Sequence, residues 1–361
     1  MKQFLLLLSF FISVCAFSQA NDLSWYKTLK GKVDKYPVTL HVHKAGHNYV
    51  GYYYYDSQQK PIYFSGDDTS KTGKIELFCY ADADNAEIFI FSITGSKASG
   101  QWKKTENSDP SNFSAEEIKS SVDFTYVFTN GSVKLRPEWK ESPSATYNAA
   151  SVWPVGETVT DEFLKTEVRK TFNEKNTGEE IGALLLRHKK NYLNNYINDN
   201  KNVQDADLKK ASPTFSMEDD SKLLIAFESP KLLTFAFTSY AYTGGAHGNH
   251  GTSYSSYDLT ANKALTLDDI ITPAGKKTLH SLLEKNFRKQ FNLKPADPLK
   301  EGGLFENKIE PNKNFYVTGK GIGFCYNPYE IGPYVMGEIN IFIPFSEMRN
   351  YLKDDFRKLI E

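Results

Sequence analysis

The stretch GKVDKYPVTLHVHKAGHNYVGYYYYD, Gly31 to Asp56, decides how the first third of the chain folds. Aromatic and β-branched residues fill it, and glycine, asparagine and aspartate interrupt it at short intervals, which is the composition of short antiparallel strands joined by tight turns. PIYFSGDD, KIELFCYAD, EIFIFSITG, SGQWKK and VDFTYVFTNG carry the same pattern on to about Phe128. An antiparallel β domain, a sandwich or a small open barrel, is therefore expected over residues 19–135.

Within that stretch Tyr52 to Tyr55 alternate across a strand, so two should face the core and two the solvent. The solvent pair would then stack on a sugar, bind a protein, or simply pack across strands. His41 and His43 share one strand face, and His47 follows a turn that can fold back over them. The cluster reads either as a zinc or copper site or as a solvated hairpin. H-x-x-x-H spacing is similar to the metal motif of polysaccharide deacetylases, but their acidic metal-and-base motif is absent from the preceding text.

The sequence changes character after RPEWKESPSATYNAAS, Arg136 to Ser151, whose prolines and small polar residues predict a linker over 136–150. Beyond it, apolar residues recur at helical spacing. Thr158 and Asp161 have the spacing of a capping box, with Leu164, Val168 and Phe172 inward, and Ile181, Leu184, Leu185, His188, Tyr192 and Tyr196 share a second helical face. Strands return at LLIAFESPKLLTFAFTSYAYT (Leu223 to Thr243) and TSYSSYDLT (Thr252 to Thr260), pairing across the loop TGGAHGNHG. Thr272 and Pro273 then open an amphipathic helix carrying Leu279, Leu282, Leu283, Phe287 and Phe291. Strands near 315–317, 322–326 and 338–343 and a last helix opened by Ser346 complete an α+β chain.

Composition excludes some partners. Lysine plus arginine (43) nearly cancels aspartate plus glutamate (44), and no dense basic patch offers itself to phosphates, so nucleic acid is not an expected partner. MKQFLLLLSFFISVCAFSQA reads as a signal peptide over residues 1–18, with an apolar run too short to span a bilayer. Cys15 invites lipidation, but Val14 stands where a lipobox has a small residue. No later segment approaches the roughly 20 apolar residues of a membrane span. The mature chain is thus expected in the periplasm or outside the cell, with Cys79 and Cys325 as two buried free thiols.

No nucleophile elbow, phosphate loop, CxxC pair or metalloprotease motif is present. In TGGAHGNHG the glycines at 244, 245, 248 and 251 permit positive φ and close backbone approach. His247 and His250 with Asp258 form a conceivable ligand set, but nothing fixes a third ligand at the right distance. A histidine bonded to backbone at a tight strand connection is the competing reading.

The run SYAYTGGAHGNHGTSYSSYDLTANKALTLDDII, with FYVTGKGIGFCYNPYEIGPYVMGEINIFIPFSEMRNYL after the helix, closely resembles the RsiV-like C-terminal domain, here 243–361. The matching features are Thr243 to His247, Tyr257 to Leu259, Leu265 to Asp269 and Tyr329 to Tyr334. That domain usually follows a PdaC-type, deacetylase-associated domain, whose place is taken by residues 151–242. RsiV members are membrane-bound anti-sigma factors whose outer domain binds lysozyme by filling its substrate cleft. This chain lacks their sigma-binding segment and retained membrane helix, and lacks the catalytic motifs of the PdaC relatives.

The resemblance implies an exported, non-catalytic envelope protein that binds a lysozyme-like hydrolase or a peptidoglycan glycan. Its contact loop would hold Tyr326, Pro328, Tyr329, Glu330, Pro333 and Tyr334, the competing reading being that these residues only pack the last hairpin, while Gly244, Gly245, His247, Tyr257 and Asp258 shape the domain. No cofactor is implied. Two alternatives stay open: a glycan hydrolase or deacetylase using His247, His250 and Asp258, or His41, His43 and His47 with a metal; and an assembly factor pairing through an open sheet edge.

Overall fold

The computed structural model describes residues 23–80, 86–173, 178–210 and 212–361, so the expected signal peptide lies outside the described residues. Eight strands open the described chain: β1 (Ser24–Val33), β2 (Tyr36–Ala45), β3 (Asn48–Tyr55), β4 (Ile62–Asp67), β5 (Ile75–Cys79), β6 (Glu87–Thr94), β7 (Lys97–Lys103) and β8 (Ser111–Ile118). Each pairs antiparallel with the next, and β1 also pairs with β8 from Thr28↔Ile118 to Val33↔Phe113. The expected sandwich or open barrel is thus a closed barrel. Glycines let it curl: a Cβ on Gly31 would stand 2.0 Å from the Ser114 carbonyl oxygen, and one on Gly51 1.9 Å from that of His41. Leu29, Val38, Leu40, Val42, Phe64, Phe89 and Phe113 fill the interior, so the barrel is a packed core.

The four tyrosines alternate as expected, but the outward pair is not solvated. Tyr53 points into the barrel, whereas Tyr52 and Tyr54 are buried against the following sheet. Period-2 patterning specifies two faces, and here a second layer covers the outer one.

That layer is a six-stranded sheet in the order β14-β13-β12-β11-β10-β9. It comprises β9 (Phe124–Lys134), β10 (Ser144–Pro154), β11 (Met217–Glu228), β12 (Leu232–Tyr242), β13 (Asn249–Asp258) and β14 (Lys263–Ala264). The stretch expected as a linker, 136–150, is instead the turn between β9 and β10 and the first half of β10. Ala145, Tyr147 and Ala149 alternate inward there, but alanine among serine, threonine and asparagine carries little strand signal. β10 and β11 run parallel, joined by a crossover of α1 (Val159–Thr171), α2 (Ile181–Asn200), α3 (Asp205–Lys210) and α4 (Ser212–Phe215). The Thr158–Asp161 capping box is formed, and Leu164, Val168 and Phe172 are buried.

A second core gathers α5 (Leu267–Ile270), α6 (Pro273–Gln290), α7 (Asp354–Ile360) and a three-stranded sheet of β15 (Phe315–Val317), β16 (Gly321–Tyr326) and β17 (Ile339–Pro344). Thr272 caps α6 with Pro273 in its first turn. Ser346 does not open the last helix: single 3-10 turns cover Phe345–Glu347 and Arg349–Tyr351, and α7 starts at Asp354. The fold is α+β. Helices lie on one face of the six-stranded sheet, where Phe172 meets Phe237 and Phe163 meets Tyr257. The barrel lies on the other, where Tyr52 meets Tyr254. Cys79 and Cys325 are free and buried, and among the described residues no helix is long and apolar enough to cross a membrane.

Candidate functional site: rings around the glycine-histidine loop

The loop between β12 and β13 and the loop between β16 and β17 meet. His247 and Tyr334 lie with ring centroids 4.2 Å apart, His250 meets the same tyrosine edge-on at 5.3 Å, and Tyr329 stands 5.7 Å from it. The Tyr334 hydroxyl donates to the Gly248 carbonyl at 2.9 Å. His247 Nδ1 lies 2.8 Å from that carbonyl, which only accepts, so Nδ1 carries the proton and Nε2 faces the Tyr329 hydroxyl at 3.4 Å.

The glycines make this approach possible in two ways. Gly244 has φ 84°, and a Cβ there would stand 2.3 Å from the Thr214 carbonyl oxygen. Gly248 is not in the left-handed region; it is glycine because the Tyr240 ring lies where its Cβ would be, at 2.4 Å.

Asparagine amides hold the two loops in register. β12 pairs with one edge of β13 along its length, whereas on the other edge β14 pairs only with Tyr257 and Asp258 and leaves residues 249–256 without a strand of this sheet. Asn314 Oδ1 accepts from the Tyr254 N–H at 2.8 Å and its Nδ2 donates to the Thr252 carbonyl at 2.7 Å, as a neighbouring strand would. Asn327 Oδ1 accepts from the Thr252 N–H at 2.8 Å. The Thr252 hydroxyl donates to Glu338 at 2.8 Å, and burial raises the Glu338 carboxyl above the usual carboxylate range, opposed in part by this hydrogen bond and then by His250.

The loop residues divide. Tyr326 is buried, its hydroxyl donating to the Glu310 carbonyl at 2.7 Å, so it packs the sheet rather than presenting a face. Glu330 accepts from Asn312 at 3.0 Å, and Pro328 and Pro333 are half-buried. Tyr329 is 55% exposed at φ 72°, and Val335 is 89% exposed. A non-glycine residue at positive φ costs about 1–2 kcal/mol, so this ring is held outward against a local preference. Val335 and Phe305, whose N–H donates to the Ile331 carbonyl at 2.9 Å, extend the apolar surface and were not visible as site residues in the sequence.

The other candidates serve structure or stand apart. Tyr257 packs against Phe163 and Phe235. Asp258 caps a turn, accepting from the Thr260 and Ala261 N–H groups. It sits eight residues along β13 from His250, roughly 27 Å, so His247, His250 and Asp258 do not assemble. His47 is exposed and bound to Asp68 at 2.6 Å, while His41 and His43 are buried against the six-stranded sheet. Neither the metal reading nor the solvated hairpin describes them. Among the described residues no three His, Cys, Asp or Glu side chains are grouped to hold a metal ion.

Known proteins match parts of this chain. Residues 268–346 match the family described as a protein of unknown function, DUF3298. Residues 141–250 match the family described as deacetylase PdaC. The first match contains the tyrosine loop, and the second ends in the glycine-histidine loop.

A solved member of the DUF3298 family from Bacteroides fragilis NCTC 9343 is similar, with 25% identity and a TM-score of 0.61 over 67% of this chain and 98% of that one. A DUF3298 family protein from Pseudomonas aeruginosa PAO1 has 16% identity and a TM-score of 0.48 over 65% of this chain and 96% of that one. No curated protein matches the chain.

Proposed function

We propose that the chain is an exported cell-envelope protein that binds a macromolecular ligand, without catalysis, through the surface built by His247, Tyr329, Tyr334 and Val335. Tyr329 carries the reading: an exposed aromatic ring kept in a disfavoured backbone conformation beside the closely packed, tilted His247–Tyr334 rings. Large rigid rings with few torsions are what tight interfaces use as anchors. The RsiV-like resemblance names a lysozyme-like hydrolase as first ligand, and the PdaC match, with its deacetylase name, keeps a peptidoglycan glycan beside it.

Calorimetric titration of the purified protein with a lysozyme and with soluble muropeptides tests this. One ligand should bind, and Tyr329→Ala should weaken it by about 2 kcal/mol, roughly 30-fold in Kd. Flat titrations with both, repeated by a second method, would remove both ligands. Unchanged affinity in folded Tyr329→Ala would remove the surface.

A further inference from the structure

Imidazoles join the barrel to the six-stranded sheet. β2 turns Val38, Leu40 and Val42 into the barrel and His41 and His43 out of it, and both histidines have no exposed surface. Backbone holds His43 from two sides: Nδ1 lies 3.2 Å from the Val50 carbonyl oxygen, and Nε2 takes the Ile225 N–H at 3.1 Å. A carbonyl only accepts and an amide N–H only donates, so Nδ1 carries the one proton and the ring is neutral. Ile225 stands at the register shift between β11 and β12, where its N–H is directed to the barrel.

His41 continues the contact. Its Nδ1 lies 2.8 Å from the Tyr26 hydroxyl, which donates to Glu228 at 3.3 Å, and its Nε2 lies 3.3 Å from the Tyr54 hydroxyl. A pocket of about 360 Å³ lined by Tyr26, Thr28, Lys119 and Ser120 lies at the Tyr26 end of this network. The barrel's interior cluster draws only on residues of its own strands and turns.

We propose that this layer is an acid-released joint: a proton on His43 Nε2 sets two donors against each other at Ile225, and the barrel parts from the mixed sheet with its interior core intact, Tyr26, Tyr52 and Tyr54 leaving the clusters they share with the sheet layer. This goes beyond the binding reading and does not depend on it. The titratable groups facing the imidazoles are Tyr26 from β1, Tyr54 from β3, Tyr126 from β9 and Glu228 from β11. Burial holds both imidazoles down to about 3, with His41 adding to the effect on His43. Burial also raises Glu228, so it is neutralised before His41 on acidification and leaves no anion to retain an imidazolium. The neutral rings belong to the joined state; the joint is complete above about pH 6.5 and weakens as pH falls toward 3.

Hydrogen exchange on the full chain, corrected for intrinsic rates, together with small-angle scattering from pH 7 to pH 3.5, tests it. The Ile225 amide should lose protection at least tenfold before the β6 and β7 amides, with a rise in radius of gyration. His43→Gln can offer an amide oxygen to Ile225 and an amide N–H to Val50 without titrating, and should lower the release pH by about one unit. Barrel and sheet exchanging together at one midpoint would overturn the joint, as would an Ile225 amide protected throughout, or a folded His43→Gln that releases at the wild-type pH. If His43→Gln does not fold, the wild-type exchange order alone decides.

Discussion

Asn314→Ala should be among the most damaging single changes outside the apolar cores. The side chain is half-buried, yet it meets two backbone groups of β13, the Tyr254 N–H at 2.8 Å and the Thr252 carbonyl at 2.7 Å. Removing it leaves both without a partner at an edge packed against the three-stranded sheet. An unsatisfied buried donor or acceptor costs about 1–3 kcal/mol. Partial access of water to this edge tempers the sum to about 2–4 kcal/mol. With a urea slope of order 2 kcal/mol per molar, the unfolding midpoint should fall by about 1–2 M.

Asn314→Asp keeps the acceptor for Tyr254 and loses the donor to Thr252, so it should cost about half as much. Asn327→Ala removes the neighbouring bond to the Thr252 N–H, and the double variant should depart from additivity by at least about 0.5 kcal/mol because both amides serve one strand edge. An uncovered edge also invites pairing between chains, so sedimentation should show association in Asn314→Ala. A midpoint shift under about 0.3 M at unchanged slope, with a monomeric variant, would refute the claim that these amides act as a missing strand.

The same reasoning extends to pH and to the loop. Two imidazoles held near 3 when folded and near 6.5 when unfolded give a stability loss of up to about 2.7 kcal/mol per pH unit as pH falls between those values; urea melts at pH 7, 6 and 5 should show it, and His43→Gln should halve it. The raised carboxyls of Glu228 and Glu338 act with the opposite sign and reduce the slope, but a flat profile would mean that the histidines are not buried as neutral rings. Gly248→Ala puts a methyl group 2.4 Å from the Tyr240 ring of β12, so thermal melts should show a loss of about 1–3 kcal/mol; full stability would mean that the glycine-histidine loop is not folded against Tyr240 as described.

The strands and helices were legible because their periodicity is local. Leu164, Val168 and Phe172, and the β12–β13 pairing, follow from spacing alone. Closure of the barrel was not read, although in-strand Gly31, Gly51, Gly66 and Gly100 carry its signal: each meets a neighbouring strand's backbone where a Cβ would be. Strand β10 was missed because alanine can face a core without announcing a strand. The outer-face histidines and tyrosines were misread as solvated for a different reason. Alternation tells which residues share a face, but which partner covers that face is a long-range fact, carried here by Ile225, Glu228 and Tyr254 roughly 200 positions away. Asn314 and Asn327 gave no signal, since an asparagine in a loop looks the same whether it turns the chain or completes a distant sheet edge.

Several polar atoms beside the candidate surface already have partners within the protein. The Tyr334 hydroxyl and His247 Nδ1 both end on the Gly248 carbonyl, and Glu338 is held by Thr252 with Cys325 beside it. What remains exposed is the ring of Tyr329, the side chain of Val335 and the imidazole of His247. Faces held this way lose little conformational freedom when a partner arrives, which is what the proposed contact through Tyr329 requires.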